Sequence, residues 1–451
     1  MKIFFSAGDP SGDLHGANLI RQLCEQRPGV ECVGYGGPEM AAAGCKLHAD
    51  LTALAVMWVF RVLLNLHKFL DLASRADRYF RHHRPDAVVL IDYPGFNWWI
   101  ARRAKAHGIP VLYYCPPQIW AWMSRRVKKV RRFVDHVLCA LPFEEIWFKE
   151  QGCRATFVGH PFFDEVRRQQ FDENFMVAQR GKPGRIVALL PGSRTQEVEH
   201  NLRWFLKAAV MIHSQMPNVR FAVGAFKAHH AQIANRLIAE ARQTADLPVE
   251  LFIKKTPELM QLAECCLACS GSVSLELLYY KKPTVVLYWI TPFAYRVQNF
   301  FRRIGSITVK YITLVNLLST KNVFPADTTP YDPENPGTER ALFPEYLTCE
   351  DKSVQIASHV VRWLADDELR EGLVAELAEL KAKVGHGGAS RTAAAMILAE
   401  ADQRNAVRAK ITKPHYRPGM RVTSSGEADQ TASRQPAVAE PSLTPPRKRA
   451  A

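Results

Sequence analysis

Short, unbroken apolar runs alternate with longer stretches of helical period along most of the chain. Residues 87–91 read Ala-Val-Val-Leu-Ile with no polar position, the pattern of a parallel strand covered on both faces. Runs at 2–6, 110–114, 134–138 and 155–158 share that character. Amphipathic segments lie among them: one from near Leu14, one over 98–107 and a basic one over 125–132. Residues 159–184 are polar, rich in Arg and Gln, and read as a connection. A second series follows, with strands at 186–190, 220–223, 249–253, 265–269 and 284–288 and helices at 198–214 and 257–264. The alternation predicts an α/β chain of two Rossmann-like domains facing a cleft, with ligands beyond the carboxyl ends of the strands. The expected bounds are 1–160 and 185–350 for the two domains. Residues 351–404 are expected to form helices packing across both, and 411–451 a disordered basic tail.

Composition narrows the class. With 47% apolar and 23% charged residues in 451, the chain can bury a sizeable core, which excludes wholesale disorder and fibrous structure. The net charge of +15 points to an anionic partner: nucleic acid, a membrane surface or a phosphorylated substrate. The charge is uneven. From Asn405 onward there are nine Lys/Arg against three Asp/Glu, and six of the eight residues from Arg125 to Arg132 are basic. No signal-peptide pattern is present, and the apolar run at 53–66 is broken by Arg61 and too short to span a bilayer, so a cytoplasmic setting is expected. The ten cysteines are irregularly spaced. Cys266 and Cys269 form a CxxC beside Cys265, yet no second pair accompanies them, and packing in a strand is the reading preferred over metal.

Candidate chemistry sits in the loops after strands. Pro191-Gly192-Ser193-Arg194 precedes a helix; Gly permits a tight turn, the helix start offers free N–H groups and Arg194 can grip phosphate oxygens bidentately. The plain alternative is an ordinary turn with a solvent-facing Arg. Ser270-Gly271-Ser272 is a second such loop, and Glu276 stands where a carboxylate can accept ribose hydroxyls. The pair suggests a nucleoside diphosphate. There is no Gly-Lys-Ser/Thr of a phosphate-binding NTPase loop, and no GxGxxG after the first strand. Asp92 follows a buried strand and is placed to act as general base, with helix capping as the alternative; Asn97 and the Gly8, Ser11, Gly12 loop are expected on the same edge. The apolar Met57–Leu64 stretch and the aromatic loop Pro116 to Trp122 each adjoin cations, as a helix lying in a membrane interface does. Core packing and a solvated basic face are the alternatives.

In this order the motifs resemble the lipid-A-disaccharide synthases, inverting bacterial glycosyltransferases of the two-Rossmann GT-B type. The resemblance runs from Lys2 to about Arg391. It rests on Ala7 to Asp13, Gly36-Gly37-Pro38-Glu39-Met40, Asp92-Tyr93-Pro94-Gly95-Phe96-Asn97 and Pro117 to Trp122 with Arg125 and Arg126. Phe157-Val158-Gly159-His160-Pro161, Leu190 to Arg194 with Glu197, Ser270-Gly271-Ser272 with Leu275-Glu276, and Asn316-Leu317-Leu318 complete it. It implies transfer of 2,3-diacylglucosamine from its UDP derivative to 2,3-diacylglucosamine 1-phosphate, with a β(1→6) link, at the cytoplasmic face of the inner membrane and without metal or other cofactor. Asp92 falls on the family's base. Ser193, Arg194, Ser270, Gly271, Ser272, Glu276 and Asn316 fall on UDP-sugar contacts, and Trp58, Phe60, Leu63 and Leu64 on a membrane-facing segment. A homodimer is left open. The chain departs from the family pattern at Asp9, where Glu is usual, at Ser270, where Thr is usual, and at 347–349, where a Gln is generally found. The competing expectations are another UDP-sugar enzyme of the same fold, such as a UDP-N-acetylglucosamine epimerase or a cell-wall glycosyltransferase, and a nucleic-acid-binding module; no nucleic-acid motif is present.

Overall fold

The computed structural model describes residues 1–54, 66–335 and 340–412. Trp58, Phe60, Leu63 and Leu64, and the tail past Thr412, lie outside them. Met1–Val407 forms one compact unit and Arg408–Ala451 the other. The first unit holds two sheets, all of whose pairings are parallel.

The first sheet contains β1 (Lys2–Ala7), β2 (Glu31–Gly36), β3 (Lys46–Asp50), β4 (Ala87–Ile91), β5 (Val111–Tyr114), β6 (His136–Cys139) and β7 (Ala155–Phe157), in the order β3-β2-β1-β4-β5-β6-β7. Its helices are α1 (Pro10–Gln26), α2 (Pro38–Ala42), α3 (Leu66–His83), α4 (Pro94–Ala106), α5 (Val127–Phe133) and α6 (Pro142–Glu150). Two short helices, α7 (Phe162–Arg167) and α8 (Glu173–Arg180), occupy the stretch read as a plain connection. They form because Phe162, Phe163, Val166 and Met176 are buried and Asp172 caps α8 through the Phe175 amide at 3.0 Å.

The second sheet contains β8 (Arg185–Leu190), β9 (Val219–Ala225), β10 (Val249–Ile253), β11 (Cys265–Cys269), β12 (Thr284–Trp289) and β13 (Glu345–Thr348), in the order β10-β9-β8-β11-β12-β13. With it go α9 (Thr195–Gln215), α10 (Ala228–Arg242), α11 (Thr256–Leu262), α12 (Val273–Tyr279), α13 (Pro292–Arg303) and α14 (Leu314–Ser319). The chain ends in α15 (Ser353–Ala365), α16 (Asp367–Val384) and α17 (Ala389–Thr412). Helix α17 returns to the first sheet: Ala393, Ala394, Ile397 and Leu398 share a core with Ile3, Phe5 and Leu19, and Asp402 meets the Arg27 guanidinium with two bonds of 2.6 Å.

One part of 185–350 departs from its expected domain. Ile307, Val309, Tyr311, Leu317 and Tyr331 join the core that covers the other face of the first sheet, with Val88, Tyr113 and Trp120. Phe324 packs against Trp120 and Phe143 at ring distances of 6.2 Å each. The cysteines of β11 are buried on both sides of the strand, and burial pushes the Cys266 thiol up to about 12. Among the described residues no cluster of His, Cys, Asp or Glu could hold a metal ion, and no helix is long and apolar enough to cross a membrane.

Candidate active site

Each sheet reverses its winding direction once, between β1 and β4 in the first and between β8 and β11 in the second. At such a point the loops leaving two neighbouring strands turn to opposite faces and open a crevice. The four loops expected to carry the base and the diphosphate contacts lie at these two places: 8–12 and 92–95 in one half, 191–194 and 270–272 in the other.

Asp92 and Tyr93 both have left-handed backbone, with φ of 37° and 48°, a costly conformation for non-glycine residues. Packing and hydrogen bonds hold it. The Asp92 carbonyl accepts from Tyr113 Oη at 2.8 Å and from Asn97 Nδ2 at 2.7 Å, and its N–H donates to Cys115 O at 3.3 Å. The Tyr93 ring closes over Gly8, where a Cβ would lie 2.2 Å from it, so that position has room only for glycine. The Asp92 side chain is reachable from solvent, yet protein surrounds most of it. Desolvation, with a smaller push from the Asp9 charge, raises its carboxyl to about 6 against the opposing Tyr93 N–H.

Asn97 does not line the crevice. It is fully buried; its Oδ1 accepts from Ser6 Oγ at 2.6 Å, and its Nδ2 donates to the carbonyls of Ser6, Ile91 and Asp92. It therefore orients the Asp92 turn from behind. In the neighbouring loop Asp9 caps α1, accepting from the Gly12 amide at 3.2 Å and from Ser11 Oγ. Asp13 caps α2 instead of its own helix, accepting from the amides of Gly37, Glu39 and Met40 at 2.8, 2.9 and 3.0 Å.

The second half differs from expectation in two roles. Arg194 does not stand free: its guanidinium donates to Glu197 at 2.6 Å, and the same carboxylate takes the Ser193 and Arg194 amides at 3.1 and 3.2 Å. Glu197 thus occupies the anion position at the start of α9. A Glu three residues past a turn before a helix is a capping signal, so this role of Glu197 is readable from the sequence. Asn316 is likewise committed. It bonds Phe343 through both its oxygen and its nitrogen, at 3.0 and 2.8 Å, and donates to Glu345 at 2.8 Å. Buried Glu345 also accepts from the Ile312 and Thr313 amides and from Thr313 Oγ1, while burial raises it to about 7. This network pins the backbone on which Ser270 Oγ leans, 2.9 Å from Ile312 O. Gly271 and Ser272 are exposed and Glu276 half-buried. Burial, then the charge of Glu165, raises Glu276 to about 8.

The chain between the sheets joins these groups. His160 packs edge-on to His15 at 6.0 Å between ring centres, and desolvation holds both far below the usual imidazole range, at about 3 and about 4. Glu165, on α7, is raised to about 7 by burial and by Glu39. Two sets of titratable groups result: Asp92, Asp9, His15 and His160 beside the first switch point, and Glu39, Glu165 and Glu276 toward the second. The aromatic loop is only partly a surface: Trp120 is wholly buried, its Nε1 donating to Glu144 at 2.8 Å, whereas Trp122 is exposed.

Comparison with known proteins adds identity to geometry. Residues 3–337 match the family model described as lipid-A-disaccharide synthetase. The chain is 32% identical over 399 residues to the lipid-A-disaccharide synthase of Geobacter metallireducens, covering 88% of this chain and 96% of that protein. It is 30% identical over 400 residues to that of Coxiella burnetii, covering 88% and 97%. Among solved structures it is similar in fold to UDP-GlcNAc 2-epimerase of Neisseria meningitidis bound to UDP-GlcNAc, with TM-score 0.56, 11% identity and coverage of 88% and 100%. It is also similar to the glycotransferase of kitacinnamycin, with TM-score 0.54, 15% identity and coverage of 88% and 98%.

Proposed function

The chain belongs to the lipid-A-disaccharide synthetase family, and from that premise we propose how its two switch points carry out the transfer. It is a glycosyltransferase of lipid A disaccharide synthesis. The donor is UDP-2,3-diacylglucosamine and the acceptor 2,3-diacylglucosamine 1-phosphate. Asp92 takes the proton of the acceptor 6-hydroxyl as that oxygen attacks the donor's anomeric carbon; the bond from that carbon to the diphosphate breaks, and its electron pair leaves with UDP. The new link is β(1→6), with inversion. Attack and departure on opposite sides of one carbon require the base and the diphosphate site on opposing walls.

The observation that carries this reading is Asp92 itself: a carboxylate in a twice-strained turn, reachable from the crevice and raised to about 6. A base of that strength is largely ionised at neutral pH and still a better proton acceptor than an ordinary carboxylate. On the other wall, the Ser193 and Arg194 amides and the Arg194 guanidinium meet the diphosphate once Glu197 yields or shares them, while Ser270, Gly271, Ser272 and Glu276 meet the uridine diphosphate and its ribose. Asn97 and Asn316 act as positioning residues behind the two walls. The acyl chains of both substrates call for an enzyme resting on the cytoplasmic face of the inner membrane, with Trp58, Phe60, Leu63 and Leu64 proposed as one contact. The reading is tested with purified chain, both sugars in detergent and EDTA present. Disaccharide and UDP should appear in equal amounts; UDP without disaccharide, or neither, would sink it.

A further inference from the structure

Helix α13 is assembled inside out. Phe293, Val297, Phe300 and the capping residue Ile304 recur at helical spacing on one stripe, and all four face solvent, with Phe293 75% and Phe300 59% exposed. The one buried residue of this helix is Arg302, whose guanidinium donates to the carbonyls of Val309, at 2.8 Å, and Thr328. A helix that docks on water-soluble protein turns its apolar stripe inward; this one buries Arg302 and part of Phe301 and presents Phe293 and Phe300 outward. The surface continues onto the first half. Trp122 meets Phe301 at 4.9 Å between ring centres, Met123 N donates to Ser306 O at 2.9 Å, and Trp122 and Met123 are themselves 37% and 39% exposed.

The charges around the patch have one sign. Arg296 and Arg303 flank the stripe along one side, and Arg125, Lys128, Lys129, Arg131 and Arg132 follow Met123, all exposed. None of these seven makes an ion pair among the described residues, and no Asp or Glu occurs in 290–310 or 115–134. Apolar side chains that project between unneutralised cations match a layer that is hydrocarbon inside and anionic at its surface. We propose that α13 and the Trp122–Met123 loop form a bilayer-docking surface that inserts Phe293, Val297, Phe300, Ile304, Trp122 and Met123 among anionic lipids.

This rests on the reading of an enzyme that takes acylated sugars from a membrane, and the test separates the two. Full-length chain is co-sedimented with vesicles of phosphatidylcholine containing phosphatidylglycerol, alongside Phe293→Ser/Val297→Ser/Phe300→Ser/Ile304→Ser and, separately, Arg296→Glu/Arg303→Glu. Each chain is also assayed for transfer with detergent-dispersed sugars. The four-serine variant should lose at least tenfold in vesicle partitioning, with detergent activity and thermal unfolding near wild type. The charge variant should lose on the order of fivefold or more per altered residue at low salt and converge on wild type as salt rises. Unchanged partitioning of both variants overturns the docking surface and leaves the transfer reading untouched. So does a wild-type oligomer that the serine variant dissociates without altered partitioning, since a second protein chain then covers the stripe. Absence of transfer in detergent, with vesicle binding still lost in the variants, removes the transfer reading and leaves the surface standing.

Discussion

Removing the charge of Asp9 tests how the crevice sets the base. As the proposed base, Asp92 has to be ionised to act, and its carboxyl is raised to about 6 by burial first and by the Asp9 charge second. The acid limb of kcat/KM should therefore fall near pH 6, with activity lost as pH drops through it. Between pH 7.5 and 5 the ionised fraction falls about tenfold for a group at 6, against less than about a tenth of its value for an ordinary aspartate. Asp9→Asn retains an oxygen for the Gly12 amide and so keeps the α1 cap, but it takes away the like charge. The limb should move to lower pH yet stay above the ordinary carboxylate range, because desolvation remains. The assay is initial-rate kcat/KM for disaccharide formation in detergent from pH 4.5 to 8.5, for both chains. A limb that stays in place in Asp9→Asn, or one already at the usual carboxylate value in the wild type, would refute the account of Asp92.

Three further outcomes follow from the same contacts. Glu276 is raised to about 8, so it is mostly protonated at pH 7; ribose hydroxyls that donate to it favour the ionised form, and UDP binding should release protons. Calorimetry in buffers of different ionisation enthalpy reads this, and no dependence on buffer removes Glu276 from the ribose. Asn316→Leu strips one of the donors from buried Glu345 and should cost about 2–3 kcal/mol of stability by urea unfolding; a loss below about 0.5 kcal/mol would mean the network is dispensable. Gly8→Ala collides with the Tyr93 ring and should lower kcat with little change in UDP affinity, whereas wild-type kcat would show that the Asp92–Tyr93 turn tolerates displacement.

What the sequence revealed follows from how each feature is encoded. Strands covered on both faces, such as Ala87–Ile91 and Cys265–Cys269, are continuous apolar runs and were legible, and loop positions at the switch points follow from strand order. β2 was not, because Gly34 and Gly36 interrupt its run; Gly34 is required where a Cβ would lie 2.1 Å from Phe5 O. β3 and β13 are edge strands, charged along one and begun by a buried glutamate in the other. The roles of Arg194, Asn97 and Asn316 escaped because their partners Glu197, Ser6 and Glu345 are settled by local capping or by tertiary contacts. Periodicity likewise exposes an apolar stripe on 292–303 without saying that it faces outward.

In the proposed transfer, Asp92 accepts the proton of the sugar hydroxyl while the other half holds UDP. Asp92→Asn measures it most directly, in single-turnover transfer combined with equilibrium UDP binding. Transfer should fall by about 10²–10⁴-fold with UDP affinity within about twofold of wild type. Transfer at a near wild-type rate, or a loss of transfer matched by a collapse in UDP affinity, would remove Asp92 from the role of base.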